Sequence, residues 1–272
     1  MADRRSMQIE SGGVEVRDGI TKEPEVAETV RPVVERRIET PAGVILYDAS
    51  SIASAGAEIF SPEHWKKSDS LSIVTGGRGM TYFVDAPFGQ AVLRHYHRGG
   101  MVAKFNRDQY LWLGENRNRA FHEFRLLAEL HSRGLPVPRP LAVRYKRTGL
   151  LYRCDLMTAR LPAADSMAER LTGAPLDSDT WVAIGQEIRR LHDNGVYHAD
   201  LNAHNILLSD EGDVYFVDFD RGSLREPAPG WQRQNMRRLY RSLRKIDRAR
   251  PDFNFSEVTW SDLDDAYSSG AS

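Results

Sequence analysis

The chain has 272 residues, of which 41% are hydrophobic and 28% charged, and its formal net charge at pH 7 is −1. This length allows a sizeable core in one domain or two lobes, and the near-neutral charge gives no general attraction to nucleic acid or anionic lipid. No run of about 18 apolar residues is present, and residues 1–13 lack the apolar segment of a secretory signal. The single cysteine, Cys154, excludes an internal disulfide. We therefore expect a cytoplasmic protein.

The first half of the chain predicts a sheet with one principal helix. Residues 1–40 are polar and aperiodic, which predicts a mobile tail. After residue 40, short apolar segments alternate with turn residues, as is typical of strands. The predicted elements are a strand at 44–47, a helical turn at 62–67, strands at 71–75, 80–84 and 91–96, a helix at 119–130, and strands at 141–145 and 150–158.

The second half predicts helices joined by short strands. A linker containing Pro162 and Pro175 opens it, and Asp177 or Ser178 would cap the helix that follows. The predicted elements are a helix at 178–194, a hairpin of strands at 206–208 and 214–217, and a helix at 231–248. A sheet followed by helices favours an α+β fold of two lobes with a cleft between them.

Three polar residues carry the strongest chemical signal. Asp200 and Asn205 are five residues apart, and Asp218 follows the next hairpin as part of an Asp-Phe pair. Protein kinases place their catalytic aspartate and metal-binding asparagine at this interval. Asp200 would orient the attacking hydroxyl, and Asn205 and Asp218 would hold Mg²⁺ against the phosphates of ATP. We interpret His198 as a structural residue that holds this loop.

Each part of this pattern also has an ordinary explanation, since Asp-x4-Asn is common and an aspartate after a strand often caps a turn. The combination nevertheless favours a protein-kinase-like fold. We predict a sheet-rich, nucleotide-binding lobe at 41–160, a short, mainly helical lobe for catalysis and the acceptor at 161–250, and a tail at 251–272.

Two further features fit a nucleotide-binding lobe. The turn formed by Gly76, Gly77, Arg78 and Gly79 could let backbone amides approach phosphates, although it could also be only a tight hairpin. Met157, near the end of the last predicted strand of this lobe, would lie where backbone groups receive adenine. Any buried strand would look similar at that position.

Arg94 stands where kinases carry a strand lysine, and it could hold phosphate through two hydrogen bonds. Its expected partner is Glu123 on the next helix, which lies opposite most of the apolar stripe, and Glu129 is the competitor. Lys104 is the alternative phosphate-binding cation. Otherwise Arg94 would be a surface charge at a strand edge.

These residues resemble the 3-deoxy-D-manno-octulosonic acid (Kdo) kinases, which are grouped with the lipopolysaccharide heptose kinases. The resemblance runs from about residue 44 to 248 and is most specific in His-Ala-Asp-Leu-Asn-Ala-His-Asn at 198–205 and Asp-Phe-Asp-Arg-Gly at 218–222. It implies ATP-dependent phosphorylation of the 4-hydroxyl of Kdo on a lipid A precursor, with Asp200 as the active-site aspartate. It also implies peripheral attachment to the cytoplasmic side of a Gram-negative inner membrane.

The predicted helix at 231–248 and the segment before it are rich in arginine. This region could bind an anionic acceptor and an anionic membrane surface, or it could be an ordinary helix with solvated charges. The candidate acceptor or membrane residues are Arg225, Arg233, Arg237, Arg238, Arg241 and Arg244. No aromatic platform or recognised module favours nucleic acid, and no obligate protein partner is predicted.

Other functions remain open at this point. The same residues could phosphorylate another sugar, a lipid or an aminoglycoside, or the chain could be a pseudokinase that serves as a binding module. After Asp218 no Ala-Pro-Glu segment follows, which favours a small or lipid-borne hydroxyl over a protein substrate.

Overall fold

The structure is a computed structural model that describes residues 31–76, 79–97 and 108–270. These residues form a mixed α+β fold, with an antiparallel sheet in the first half and mainly helices in the second, which confirms the predicted fold class. The strands of the sheet are β1 (Glu35–Thr40), β2 (Gly43–Asp48), β3 (Leu71–Gly76), β4 (Gly79–Ala86), β5 (Gly89–His95), β6 (Tyr110–Leu111), β7 (Pro140–Thr148) and β8 (Leu151–Ala159).

Both faces of this sheet are covered. The strands follow the order β1-β2-β7-β8-β5-β4-β3, and β6 pairs with β8. Successive side chains of a strand point to opposite faces. Accordingly Val44 and Leu46 of β2 enter one core, whereas Ile45 and Tyr47 enter another on the opposite face. This explains why β2 reads as a continuous apolar run.

A helix packs on each face of the sheet. The short helix α1 (Pro62–Lys67) buries Trp65 in the core that contains Ile45. The longer helix α2 (Arg119–Ser132) begins at Asn118, whose side chain accepts a backbone N–H of the first turn. Glu123 of α2 is 1% exposed, although it was expected opposite the apolar stripe. It can be buried because it pairs with a cation of β5.

The second half begins at residue 164. Its elements are β9 (Ala164–Ser166), α3 (Met167–Gly173), α4 (Ser178–Asp193), β10 (Val196–Tyr197), β11 (Ile206–Ser209), β12 (Val214–Phe216), β13 (Ser223–Leu224), α5 (Pro229–Ala249) and α6 (Glu257–Ser269). Strand β11 pairs with β9 and β12, and β10 pairs with β13. Helices α4 and α6 pack so closely that a Cβ at Gly185 would lie 2.3 Å from the carbonyl oxygen of Leu263.

Three segments differ from the prediction. Residues 35–40, expected in a tail, form β1 at the edge of the sheet, and the expected linker contains β9 and α3. The expected tail at 251–272 contains α6, so that prediction was wrong for residues 257–269. Strand β1 was missed because its side chains are mostly charged and it pairs on one side only. Helix α6 was missed because it buries only Leu263 and Tyr267.

Candidate active site

The candidate site begins at a tight turn between α4 and β10. Gly195 has a φ of 74°, and a Cβ there would lie 2.3 Å from the backbone oxygen of Arg225. Both the φ value and the contact disfavour any side chain at this position. The turn therefore fixes where the loop 198–205 begins, directly after β10.

A buried histidine holds this loop. The Nε2–H of His198 donates to the carbonyl oxygen of Val217 over 3.0 Å, and its Nδ1 accepts the backbone N–H of Asp200 over 3.2 Å. This arrangement requires a neutral ring protonated on Nε2. Burial lowers the pKa of His198, which favours the neutral form. His198 thus has the structural role predicted for it, and it links Asp200 to the residue before Asp218.

The same loop orients the side chain of Asn205. Its Nδ2 donates to the backbone oxygen of Asp200 over 2.9 Å, and its backbone oxygen accepts the N–H of Val217 over 3.0 Å. Because the amide nitrogen is engaged, Oδ1 is the atom left for a cation. The hairpin of β11 and β12 brings Asn205 back beside the chain that leads into Asp218. The structure therefore brings all three predicted residues together.

Asn205 and Asp218 offer the oxygen ligands that Mg²⁺ prefers. Within the described ranges, no cluster of three or more His, Cys, Asp or Glu side chains could hold a metal ion. In nucleotide sites, however, magnesium usually takes one or two carboxylates and completes its coordination with phosphates and water. The amide oxygen of Asn205 and the carboxylate of Asp218 fit that requirement.

Asp218 combines a strained backbone with an adjacent cation. Its φ is 66°, in the left-handed region that residues other than glycine seldom occupy. Burial would raise the pKa of Asp218, but Arg94 outweighs burial and holds that pKa below its usual value. The two side chains are joined by a hydrogen bond of 2.6 Å from Arg94 Nη1 to Asp218 Oδ1. Asp218 is therefore ionised, as a metal ligand must be.

Arg94 also connects β5 to α2. Its Nη2 pairs with Oε1 of Glu123, and the hydroxyl of Tyr96 donates to Oε2 of the same carboxylate. Burial opposes the charge of Arg94, but its carboxylate partners raise its pKa well above the usual value. Glu129, the competing partner, lies at the surface and pairs with Arg133 over 2.8 Å. Arg94 is therefore part of an internal ion-pair network rather than a surface charge.

A second ion pair joins α2 to the chain after Asp218. Arg119 holds Asp220 through both carboxylate oxygens, with an Nε–Oδ1 distance of 2.9 Å and a second bond from Nη2 to Oδ2. Arg119 and Glu123 are four residues apart, so they lie on the same face of the helix. Helix α2 thus holds both aspartates of the 218–222 motif, one directly and one through Arg94. Arg119 was not predicted as a site residue, although its four-residue spacing from Glu123 places it on the same helix face.

The glycine-rich turn is described only in part. Gly76 and Gly79 are the last pair of the ladder between β3 and β4. Gly77, Arg78 and Lys104, three of the predicted phosphate-binding residues, lie outside the described residues. Their roles stay predictions.

The adenine contact predicted at Met157 is not supported by its position. Met157 is fully buried and pairs with Leu93 of β5 on one side and Ala142 of β7 on the other. Since strands flank β8 on both sides, its backbone groups serve the sheet. The chain leaves the sheet at Arg160, whose N–H still binds the backbone oxygen of Gln90. A hinge for adenine would therefore begin beyond this point.

The predicted basic residues have different environments. Arg238 donates from Nη1 to Oδ1 of Asp200 over 3.0 Å, so it lies in the candidate site itself. Arg225 stacks on the ring of Tyr197, and Arg244 pairs with Glu257 of α6. Three others are exposed and form no ion pair with any described residue: Arg233, Arg237 and Arg241.

A buried relay connects α6 to the catalytic loop. The hydroxyl of Tyr267 donates to Nδ1 of His192 over 2.8 Å, and His192 Nε2–H donates to Oδ1 of Asn235 over 3.3 Å. Asn235 in turn binds both backbone groups of His198, at 3.2 and 3.0 Å. Tyr267, His192 and Asn235 together thus fix the start of the loop.

The chain is similar to known kinases of lipopolysaccharide. The family model for the lipopolysaccharide kinase (Kdo/WaaP) family matches residues 63–267. The chain is 48% identical over 208 residues to a 3-deoxy-D-manno-octulosonic acid kinase of Stenotrophomonas maltophilia, which covers 75% of this chain and 81% of that protein. It is 50% identical over 216 residues to the protein of that name from Xanthomonas axonopodis pv. citri, covering 77% and 84%.

Proposed function

The chain belongs to the lipopolysaccharide kinase (Kdo/WaaP) family, and on that premise we propose that it phosphorylates the 4-hydroxyl of a Kdo residue on a lipid A precursor. It is a phosphotransferase, and lipopolysaccharide biosynthesis is the process in which it acts. The observation that supports the proposal is that Asp200, Asn205 and Asp218 lie close together. His198 and Asn205 hold them there through hydrogen bonds to the backbone.

Each residue has a separate task in this reaction. Asp200 accepts a hydrogen bond from the acceptor hydroxyl and receives its proton as the phosphoryl group is transferred. The Oδ1 of Asn205 and the carboxylate of Asp218 would hold Mg²⁺, which would supply positive charge to the phosphates of ATP. Arg94 lies 2.6 Å from Asp218 and carries a permanent charge, so it would bind a phosphate held beside Asp218. Glu123 keeps Arg94 in place.

A transfer assay tests the proposed function. Labelled ATP is offered with Kdo-bearing lipid A precursor, with the same lipid lacking Kdo, and with an aminoglycoside. We expect label only in the first, with the phosphate located at position 4 by phosphorus–proton NMR correlation. Transfer to the aminoglycoside or to Kdo-free lipid would identify a different kinase, and no ATP turnover with any acceptor would identify a pseudokinase.

Variants assign the roles. Asp200→Asn should abolish transfer while nucleotide binding persists, because its carboxylate acts on the acceptor. Asp218→Asn should weaken Mg²⁺-dependent nucleotide binding as well, because a charged metal ligand is lost. If both variants bind ATP equally and turn over normally, the site is assigned to the wrong residues.

We further propose that α5 places the protein on an anionic membrane surface. No helix of the described residues is long and apolar enough to cross a membrane. The apolar side of α5 is buried, whereas Arg241, Arg244, Lys245 and Arg248 line a shallow groove of about 500 Å³ on its outer side. Exposed basic residues each contribute about 1 kcal/mol at such a surface.

A vesicle assay tests this attachment. Replacing Arg237, Arg241 and Lys245 by Gln should weaken binding to anionic vesicles by roughly 100-fold, while binding to zwitterionic vesicles stays negligible. Arg244 is left intact because it pairs with Glu257. Unchanged vesicle binding would leave these charges as a solvated helix face.

A further inference from the structure

Arg238 lies directly against the carboxylate proposed to be catalytic. Its guanidinium donates one hydrogen bond of 3.0 Å to Asp200, and both side chains remain open to solvent, at 43% and 58% exposure. Among the described residues, Arg238 is the only side chain that binds the Asp200 carboxylate. An exposed pair of this kind adds about 0–1 kcal/mol to stability. Fold stability therefore does not explain why an arginine is held here.

The helix that carries Arg238 is fixed to the catalytic loop. Asn235, one turn earlier on α5, binds both backbone groups of His198, and Leu239 is fully buried beside it. On the following turn, Ser242 accepts the backbone N–H of Ala203 over 3.4 Å. Hydrogen bonds thus fix the α5 backbone to the loop on both sides of Arg238. The fold therefore places the Arg238 guanidinium beside Asp200.

Arg238 has the capacity to bind a second anion. An arginine carries five N–H donors in a planar fork, and the contact with Asp200 uses one of them. The remaining donors match the two oxygens of a carboxylate, which arginine binds in a bidentate manner. A ligand bound beside Asp200 would therefore meet both a base for a hydroxyl and a cation for a carboxylate.

We propose that Arg238 binds the carboxylate of the acceptor sugar and so selects an acidic sugar. This inference rests on the proposed function. In a 2-keto-3-deoxy sugar acid the carboxylate is attached to C2 and the 4-hydroxyl to C4, with one methylene between these carbons. A base that binds the 4-hydroxyl and a cation that binds the carboxylate must therefore be neighbours, as Asp200 and Arg238 are. The other candidate arginines do not contact Asp200.

The test crosses enzyme variants with acceptor variants. Kdo-bearing lipid A precursor is compared with the same lipid in which the Kdo carboxylate is a methyl ester, using the wild type, Arg238→Gln and Arg238→Lys. Arg250→Gln is the matched control, because Arg250 also forms one exposed ion pair with an aspartate, at 52% and 58% exposure. The readouts are kcat/KM for each acceptor, KM for ATP and the melting temperature.

We expect Arg238→Gln to lower kcat/KM for the acid by roughly 10- to 100-fold, the range of a lost charge-assisted hydrogen bond. The ester should lose less than about threefold, because its recognition no longer depends on the cation. Arg238→Lys should fall between these values on the acid, since a lysine keeps the charge but loses the fork. KM for ATP, the melting temperature and all values for Arg250→Gln should not change.

The outcomes are distinguishable. If Arg238→Gln lowers transfer to acid and ester by the same factor, Arg238 acts only by positioning Asp200 and the inference is overturned. An unaffected variant also overturns it. If the wild type phosphorylates neither acceptor, the proposed function fails, and the inference fails with it; that result appears before any variant is compared.

Discussion

Replacing Glu123 by Gln tests whether the ion-pair network is essential to the site. The substitution keeps the shape of the side chain and removes its charge. Glu123 is 1% exposed and accepts hydrogen bonds from Arg94 and Tyr96. Hydrogen bonds to charged groups contribute about 1.5–3 kcal/mol and neutral ones about 0.5–1.5 kcal/mol. Two weakened bonds therefore lower the free energy of unfolding by about 2–3 kcal/mol.

The effect should extend to the metal site. Arg94 contacts two carboxylates, Glu123 and Asp218, and in Glu123→Gln only Asp218 of these two remains charged. Arg94 then competes more strongly with Mg²⁺ for Asp218, so we expect the Mg²⁺ concentration for half-maximal activity to rise about tenfold. At about 2–4 °C per kcal/mol, the melting temperature should fall by roughly 4–12 °C.

Glu129→Gln is the matched control, because Glu129 belongs to the same helix and pairs with Arg133 at the surface. An exposed pair at this spacing contributes about 0.3–0.5 kcal/mol, so its melting temperature should fall by no more than about 2 °C. Thermal melts and Mg²⁺ titrations of both variants decide the matter. Equal melting temperatures, or an unchanged Mg²⁺ requirement for Glu123→Gln, would refute the reasoning.

Three further predictions concern other parts of the structure. Arg119→Gln and Asp220→Asn should each raise the Mg²⁺ requirement, and the double variant should be little worse than either, because both remove the same bidentate pair; additive losses in a double-mutant cycle would contradict this. Burial lowers the pKa of His192 to about 4, whereas its pKa in the unfolded chain is near 6.5. Between these pH values the unfolded chain binds a proton on His192 and the folded chain does not. Stability should therefore be lost as pH falls from about 6.5 toward 4, by about 3 kcal/mol in all, and melting curves of His192→Gln should show a smaller pH dependence. Gly185→Ala should lower the melting temperature, although alanine normally favours a helix by about 1 kcal/mol, because its Cβ would lie 2.3 Å from a carbonyl oxygen of α6.

The parts of the site that the sequence predicted are local in the chain. Asp200 and Asn205 share one loop, and a short hairpin returns the chain to Asp218, so spacing alone places these residues together. The pairing of Arg94 with Glu123 also followed from element order, although the burial of Glu123 did not. A carboxylate in a helical pattern is predicted to face solvent unless the cation that pairs with it in the core is known.

The contacts that were not predicted join segments far apart in sequence. Arg119 and Asp220 are 101 residues apart, and no local pattern specifies how α2 is angled against the 218–222 motif. Arg238 was a candidate for the acceptor because of its charge, but its contact with Asp200 depends on how α5 docks. The adenine contact near Met157 stays a prediction, because a buried strand looks the same from sequence whether or not a ligand binds at its end.

The relay from Tyr267 to the catalytic loop has a consequence for the order of events during synthesis. Tyr267 leaves the ribosome 75 residues after His192, its hydrogen-bond partner. At about 5–20 residues per second, that interval lasts roughly 4–15 s. The catalytic loop follows His192 within this interval, so the nascent chain then contains the whole sheet and the loop, but not yet the helix whose tyrosine donates to His192. The start of the catalytic loop is therefore held by the full relay only after α6 has been made.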